Sequence, residues 1–247
     1  MARGPGAPVS AAELVAGPVE LTPPQVRPWA DDPFAEAMRT GRGPLWLRRS
    51  DGGRHPLAVE DWCAPPGPAD RSLLRRCLTA ARPVLDIGCG PGRLVTELLA
   101  LGLPALGVDL TPTAVARTRG LGGAALCRSV FDRLPGEGRW GTALLADGNL
   151  GIGGDPLALL RRVAHLLAPG GVLLAEVEPH PVDERVTVRV EDAAGRTGPP
   201  FRWARLGTDA ALRLAEHAGL REYERWTAQG RHFVAVRRAG RDRPDGP

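Results

Sequence analysis

Val84-Leu85-Asp86-Ile87-Gly88-Cys89-Gly90-Pro91-Gly92-Arg93-Leu94 is the stretch that decides the fold. Its short apolar run reads as a buried strand, three glycines at alternate positions turn the backbone sharply, and Leu94 to Leu101 continues as an amphipathic helix. Glycine is required in such a turn because a Cβ would hold a ligand off the backbone and because the chain visits positive φ. A strand, a tight glycine turn and a helix make a nucleotide pocket, so what remains open is the nucleotide.

A dinucleotide fingerprint runs G-x-G-x-x-G/A, yet counting from Gly88 and Gly90 the third position is Arg93, whose bulk opposes close helix–strand packing. That argues against NAD or FAD. The pattern present is D-x-G-x-G-x-G with Asp86 at the strand end, and it resembles motif I of the class I S-adenosylmethionine-dependent methyltransferases. The resemblance implies S-adenosylmethionine as cofactor and S-adenosylhomocysteine as product. It places Asp86, Gly88, Gly90 and Gly92 against the methionine and ribose end of a ligand that carries a sulfonium and no phosphate. An acid in the loop suits an ammonium better than a pyrophosphate.

Further segments agree in order. Pro104 to Asp109 reads as a second buried strand ending in an acid, followed by Thr111 as N-cap and Pro112 at the first helical position. The resemblance makes Asp109 the acid that chelates the ribose hydroxyls, with Leu110 beside it. A third strand, Ala124 to Arg128, leads to Ser129-Val130-Phe131-Asp132, where the family often has Gly-Asp. Here Ser129 stands in place of the acid, so adenine contact falls to Ser129, Val130 and Phe131, or to Asp132; Phe131 as ordinary core is the alternative. The fourth strand, Trp140 to Ala146, opens into Asp147-Gly148-Asn149 and a run of glycines at the sheet's carboxyl edge, where ligands bind. Asp155 and Pro156 cap an amphipathic helix, and Leu-Ala-Pro-Gly-Gly (167–171) before the fifth strand, Val172 to Val177, again resembles the methyltransferases.

The expected architecture is an α/β, Rossmann-like class I methyltransferase fold: a mostly parallel seven-stranded sheet with helices on both faces, an N-terminal helical cap and an inserted hairpin after strand five. Residues 1–80 are assigned to the N-terminal extension and lid, 81–240 to the cofactor-binding domain and 241–247 to a tail. Met1 to about Pro28 is rich in Pro, Gly and Ala and reads as loosely draped. A helix is expected from Asp70, as cap, over Arg71 to Leu78. Trp29, Phe34, Trp46 and Trp62 lie in this extension, either as a lid over an acceptor or as packing against the sheet. The hairpin from Arg185 to Leu206, turning at 193–196, carries Trp203 and Arg205 as a wall for the acceptor. A helix from Thr208 to His217 and strands over 220–226 and 231–236 finish the sheet.

At 247 residues the chain suffices for one well-buried α/β domain and some additional cap. All 32 basic residues other than histidine are Arg, consistent with a GC-rich bacterial genome, and the absence of Lys removes Schiff-base and lysine-base chemistry. The net charge of +4 is dispersed, which reads as solvated surface and gives no nucleic-acid partner. Cys63, Cys77, Cys89 and Cys127 lack metal or redox spacing and read as reduced thiols of a cytoplasmic protein; no signal peptide, membrane span or metal site is expected. The expected partner is a small-molecule acceptor, the chain acting as a monomer or homodimer.

The leading function is methyl transfer from S-adenosylmethionine to a small, soluble acceptor. RNA or protein methylation, and cofactor binding without transfer, are the alternatives. Asp147-Gly148-Asn149 matches neither the Asn/Asp-Pro-Pro-aromatic of base amino methylation nor the Pro-Cys of cytosine C5 methylation. Candidate groups for the chemistry are Asp147 first, as base, acceptor-orienting acid or partner of the cofactor's ammonium, and His180 second; Trp62, Asn149, Trp203 and Arg205 are candidates for contact with the acceptor.

Overall fold

In the computed structural model, residues 32–240 are described; the readings made for Met1 to Pro28, for Trp29 and for the 241–247 tail lie outside them. Helix α1 (Pro33–Thr40) begins at Asp32, whose carboxylate accepts from the Ala35 N–H at 3.0 Å. Strands β1 (Leu45–Arg49) and β2 (Arg54–Leu57), a short helix α2 (Val59–Cys63) and helix α3 (Pro68–Ala80) follow. Strands and helices then alternate as β3 (Val84–Ile87), α4 (Arg93–Ala100), β4 (Ala105–Asp109), α5 (Pro112–Gly120) and β5 (Ala125–Cys127). Next come β6 (Trp140–Leu145), a 3-10 segment (Asn149–Gly154), α6 (Pro156–Leu166) and β7 (Leu167–Val177). The chain closes with β8 (Asp183–Asp192), β9 (Phe201–Leu206), α7 (Thr208–His217), β10 (Leu220–Ala228) and β11 (Arg231–Arg238).

The main sheet has seven strands in the order β10-β11-β7-β6-β3-β4-β5. Five of them run parallel, and β11 lies antiparallel between β7 and β10. Every residue of β3 and β6 is buried, as expected of parallel strands covered on both faces. Leu159, Leu160, Val163 and Leu166 of α6 join Ala211 and Ala215 of α7 in one core cluster. Leu73, Leu74 and Cys77 of α3 pack with Leu94, Val95 and Leu98 of α4 in a second, on the opposite face. From β3 the chain moves outward through β4 and β5 and then returns to place β6 on the other side of β3. That reversal opens a crevice beyond the carboxyl ends of β3 and β6, the position where open α/β sheets bind ligands.

Two local expectations are corrected. Helix α3 starts at Pro68 with Gly67 as N-cap, because proline suits the first helical position; Asp70 lies three residues in, and its carboxylate accepts from the Gly67 N–H at 3.1 Å. Thr111 holds the N-cap position of α5 but its side chain makes no capping bond.

The N-terminal extension is more than a helical cap. Its hairpin pairs with the inserted hairpin in a second, antiparallel sheet of order β2-β1-β8-β9, although the two segments lie far apart in sequence. Glu191 of β8, 1% exposed, joins them by accepting from Arg48 at 3.1 Å and from Arg54. The register sets Leu47 opposite both His55 and Val190, and Val186 opposite Trp203, so one face of this sheet is largely apolar and turned toward the crevice. Trp46 lies on the other face, beneath Arg54. No helix among the described residues is long and apolar enough to cross a membrane.

Candidate active site

The crevice and the second sheet enclose a cleft of about 970 Å³. Its floor is the glycine loop, fastened from several sides. The Gly88 and Cys89 N–H groups both donate to the Val108 carbonyl, at 2.8 and 3.1 Å. The Gly90 N–H donates to Asp109 Oδ2 at 2.9 Å, while the Gly90 carbonyl accepts from the Thr118 hydroxyl at 2.9 Å. Asn149 Nδ2 donates to the carbonyls of Ile87 and Gly88 at 3.1 and 2.9 Å.

The three loop glycines serve different ends. Gly90 has φ +52° and no atom within 4 Å of the position a Cβ would take, so its backbone borders open cleft. A Cβ on Gly88 would come within 2.6 Å of the Asn149 amide. Gly92, expected against the cofactor, does not line the cleft: a Cβ there would lie 2.4 Å from the Thr118 side chain, so its smallness serves the packing of α4 on α5. Asp86 is likewise corrected, for it is 2% exposed inside β3 and does not line the cleft. Burial pushes its carboxyl up to about 7, against the opposing pull of Arg93.

At the end of β4, Asp109 accepts from the Gly90 N–H and, through Oδ1, from the Thr111 N–H at 2.8 Å. Burial raises its pKa and these backbone donors oppose the rise. Asp109 borders the cleft, and a carboxylate oxygen can accept more than one hydrogen bond. Leu110 and Phe131, 43% and 45% exposed, both border the cleft, an unusual exposure for large apolar groups unless a flat ligand covers them. Between them lie Val130, buried, and Ser129, whose hydroxyl accepts from the Phe131 N–H at 3.2 Å.

Asp147 is placed by a positive φ of +55° at the end of β6, and its N–H donates to Glu176 at 2.6 Å. Its carboxylate does not stand free for an acceptor. Arg93 reaches it at 2.8 Å and Arg231 at 3.0 Å, and the same two guanidiniums hold Asp70 at 3.0 and 2.8 Å. Arg231 also grips Glu176, at 2.6 and 2.7 Å. Burial raises the pKa of Asp147 while both arginines oppose the rise, and Asp70 is held down to about 2 by the same cations despite its burial. The expectation of Asp147 as a base is corrected accordingly: a carboxylate bound by two guanidiniums is a structural anion. Asn149 lines the cleft too, and its amide nitrogen braces the loop. His180 is exposed on the segment after β7 and does not line the cleft.

Over the cleft, Trp62 and Trp203 both line the wall. Phe34 packs against Trp62 with ring centroids 6.3 Å apart, and Phe201 meets Trp203 edge-on at 6.0 Å. Trp62 therefore borders the cleft and packs against the cluster beneath the second sheet. Arg205 lines the cleft in a two-pronged pair with Glu178, at 2.8 and 3.0 Å. Arg49, His55, Glu176 and Arg231 were missed. Only the position of Arg93, directly after the glycine turn, signalled a buried cation, and its partners come from distant elements.

Residues 84–171 match the family model described as a methyltransferase domain. The chain has the fold of the S-adenosylmethionine-dependent methyltransferases. A trans-aconitate 2-methyltransferase of Methylobacterium nodulans is 37% identical over 168 residues, covering 66% of this chain and 62% of that protein. The chain thus spans less than two thirds of the length of this curated relative. Among solved structures, a methyltransferase from Bacteroides fragilis in complex with S-adenosylhomocysteine superimposes with TM-score 0.69 at 19% identity, covering 83% of this chain and 92% of that one. A Burkholderia thailandensis 1,6-didemethyltoxoflavin N1-methyltransferase matches with TM-score 0.51 at 21% identity, over 69% and 76% of the two chains. At these identities the likeness to the solved structures is one of fold.

Proposed function

We propose that the chain transfers a methyl group from S-adenosylmethionine to a small-molecule acceptor. The observation that carries this reading is one cleft holding the glycine loop and Asp109 on its floor and an aromatic wall above them. The cofactor supplies an electrophilic methyl on a sulfonium. Asp109 offers its remaining lone pairs to the ribose hydroxyls, and Leu110 and Phe131, with Ser129 and Val130 between them, receive the adenine. Gly90 lets the ligand approach the backbone. Arg231 and Asp147, paired with each other, border the cleft on the side left for the amino-acid end. Trp62 and Trp203 exclude water and align the acceptor, and alignment of a nucleophile opposite the leaving sulfur supplies a large part of the rate.

The enclosing second sheet favours a small acceptor over RNA or protein. Four cysteines without disulfides suit a reducing compartment such as the cytoplasm, where the chain would act as a monomer or homodimer. Incubation of the purified protein with methyl-labelled cofactor and separate fractions of small metabolites, total RNA and protein tests the reading. Label is expected in the small-molecule fraction; label confined to RNA or protein refutes it, and cofactor binding without any transfer supports a non-methylating binding protein. The name of the curated relatives makes a tricarboxylate one candidate acceptor.

A further inference from the structure

We propose that the acceptor is an uncharged, largely aromatic molecule with one hydrogen-bonding end, and that this cleft rejects polycarboxylates. The proposal rests on the transferase reading above and names its substrate class. The cleft-facing side of the second sheet presents Leu47, Val186, Val188, Phe201 and Trp203, joined by Trp62 from α2. Such a surface holds a flat apolar body.

The charges around it are already matched. Arg205 is held by Glu178 at 2.8 and 3.0 Å, and Arg49 by Glu184 at 3.0 Å. On the floor, Arg93 and Arg231 are held by Asp70, Asp147 and Glu176. Two other arginines border the cleft without facing this wall. Arg128, beside Ser129, donates to the Arg133 carbonyl at 2.8 Å, and Arg202 lies on the opposite face of β9, its Cβ against Gly154. His55 stands opposite Leu47 at the sheet's edge, and its partial burial, with Arg205 nearby, lowers its pKa. At neutral pH it offers a hydrogen bond in place of a charge. A polycarboxylate entering here would face Glu178 as well as Arg205 and Arg49, which Glu178 and Glu184 already occupy, a like-charge arrangement that discriminates against anions.

The test titrates protein saturated with S-adenosylhomocysteine by calorimetry, using 2-naphthol and 6-hydroxyquinoline as neutral aromatics and trans-aconitate as the tricarboxylate. At least one aromatic is expected to bind with Kd below about 1 mM, within reach of a ligand of this size, and trans-aconitate at least 100-fold more weakly. The double variant Glu178→Gln, Glu184→Gln releases Arg205 and leaves Arg49 with Asp51 as partner, and should tighten trans-aconitate at least 10-fold with no comparable gain for the aromatics. Equal or tighter binding of trans-aconitate by the wild-type protein overturns the proposal, as does failure of both aromatics to bind or a folded double variant that gains nothing. If the double variant does not fold, the wild-type titrations decide alone. Failure to bind S-adenosylhomocysteine, seen before the second titration begins, strikes the transferase reading instead.

Discussion

Arg231→Leu probes the ion cluster beneath the cleft. In the wild type this side chain, 27% exposed, donates to Glu176 at 2.6 and 2.7 Å, to Asp70 at 2.8 Å and to Asp147 at 3.0 Å. Leucine leaves Asp70 and Asp147 to Arg93 alone and takes the guanidinium from Glu176, which keeps the Asp147 N–H. Removing one partner from a buried pair costs about 3–5 kcal/mol, a large share of the roughly 5–15 kcal/mol that stabilises a domain. At about 2–4 °C per kcal/mol for a chain of this size, the melting temperature should fall by roughly 6–20 °C. The loss should also depend on pH. Burial already raises the pKa of Asp147, and without Arg231 less opposes that rise. A carboxyl whose folded pKa exceeds its unfolded value destabilises the fold increasingly as pH rises between the two, so the deficit of the variant should be larger at pH 8 than at pH 5. Circular-dichroism melts at both pH values measure it. A melting temperature within about 2 °C of wild type at pH 8, or a deficit that does not narrow on acidification, refutes the account of the cluster as a mutually dependent set of buried charges.

Asp109→Ala should weaken S-adenosylhomocysteine at least about 100-fold by calorimetry, since two charge-assisted bonds are lost at about 1.5–3 kcal/mol each; unchanged affinity removes Asp109 from the site. Asp86, raised by burial to about 7, loses the fold stability as pH climbs from its unfolded value near 4 toward 7. Asp86→Asn abolishes that titration, so the stability of the variant relative to wild type, from urea denaturation, should improve between pH 5 and pH 8; a constant difference would mean that the Asp86 carboxyl titrates normally.

The central architecture and the glycine-loop side of the cleft were legible because they are written in local pattern. Continuous apolar runs bounded by Asp86, Asp109 and Asp147 mark parallel strands, and the glycines from 88 to 92 mark a turn whose chemistry lies within a few residues. Leu110 and Phe131 follow from their places directly after strand ends. What the sequence hid is made of distant partners. No local feature of Leu45–Leu57 announces that it pairs with β8, since an edge strand states its need for a partner without saying which. Asp147 and Asn149 showed the right side chains at the right edge, but their roles depend on what occupies their hydrogen-bonding positions, and Arg93, Arg231 and the loop carbonyls arrive there only through the folding of the whole sheet. The same holds for Gly92, whose neighbour Thr118 sits one helix further on, and for the aromatic wall of the cleft, where charge cancels only because Glu178 and Glu184 are brought against Arg205 and Arg49. Sequence alone determined the strand–turn–helix grammar and the position of the crevice; tertiary structure decided which charges are satisfied there, because electrostatic pairing is set by distance in space and not by spacing along the chain.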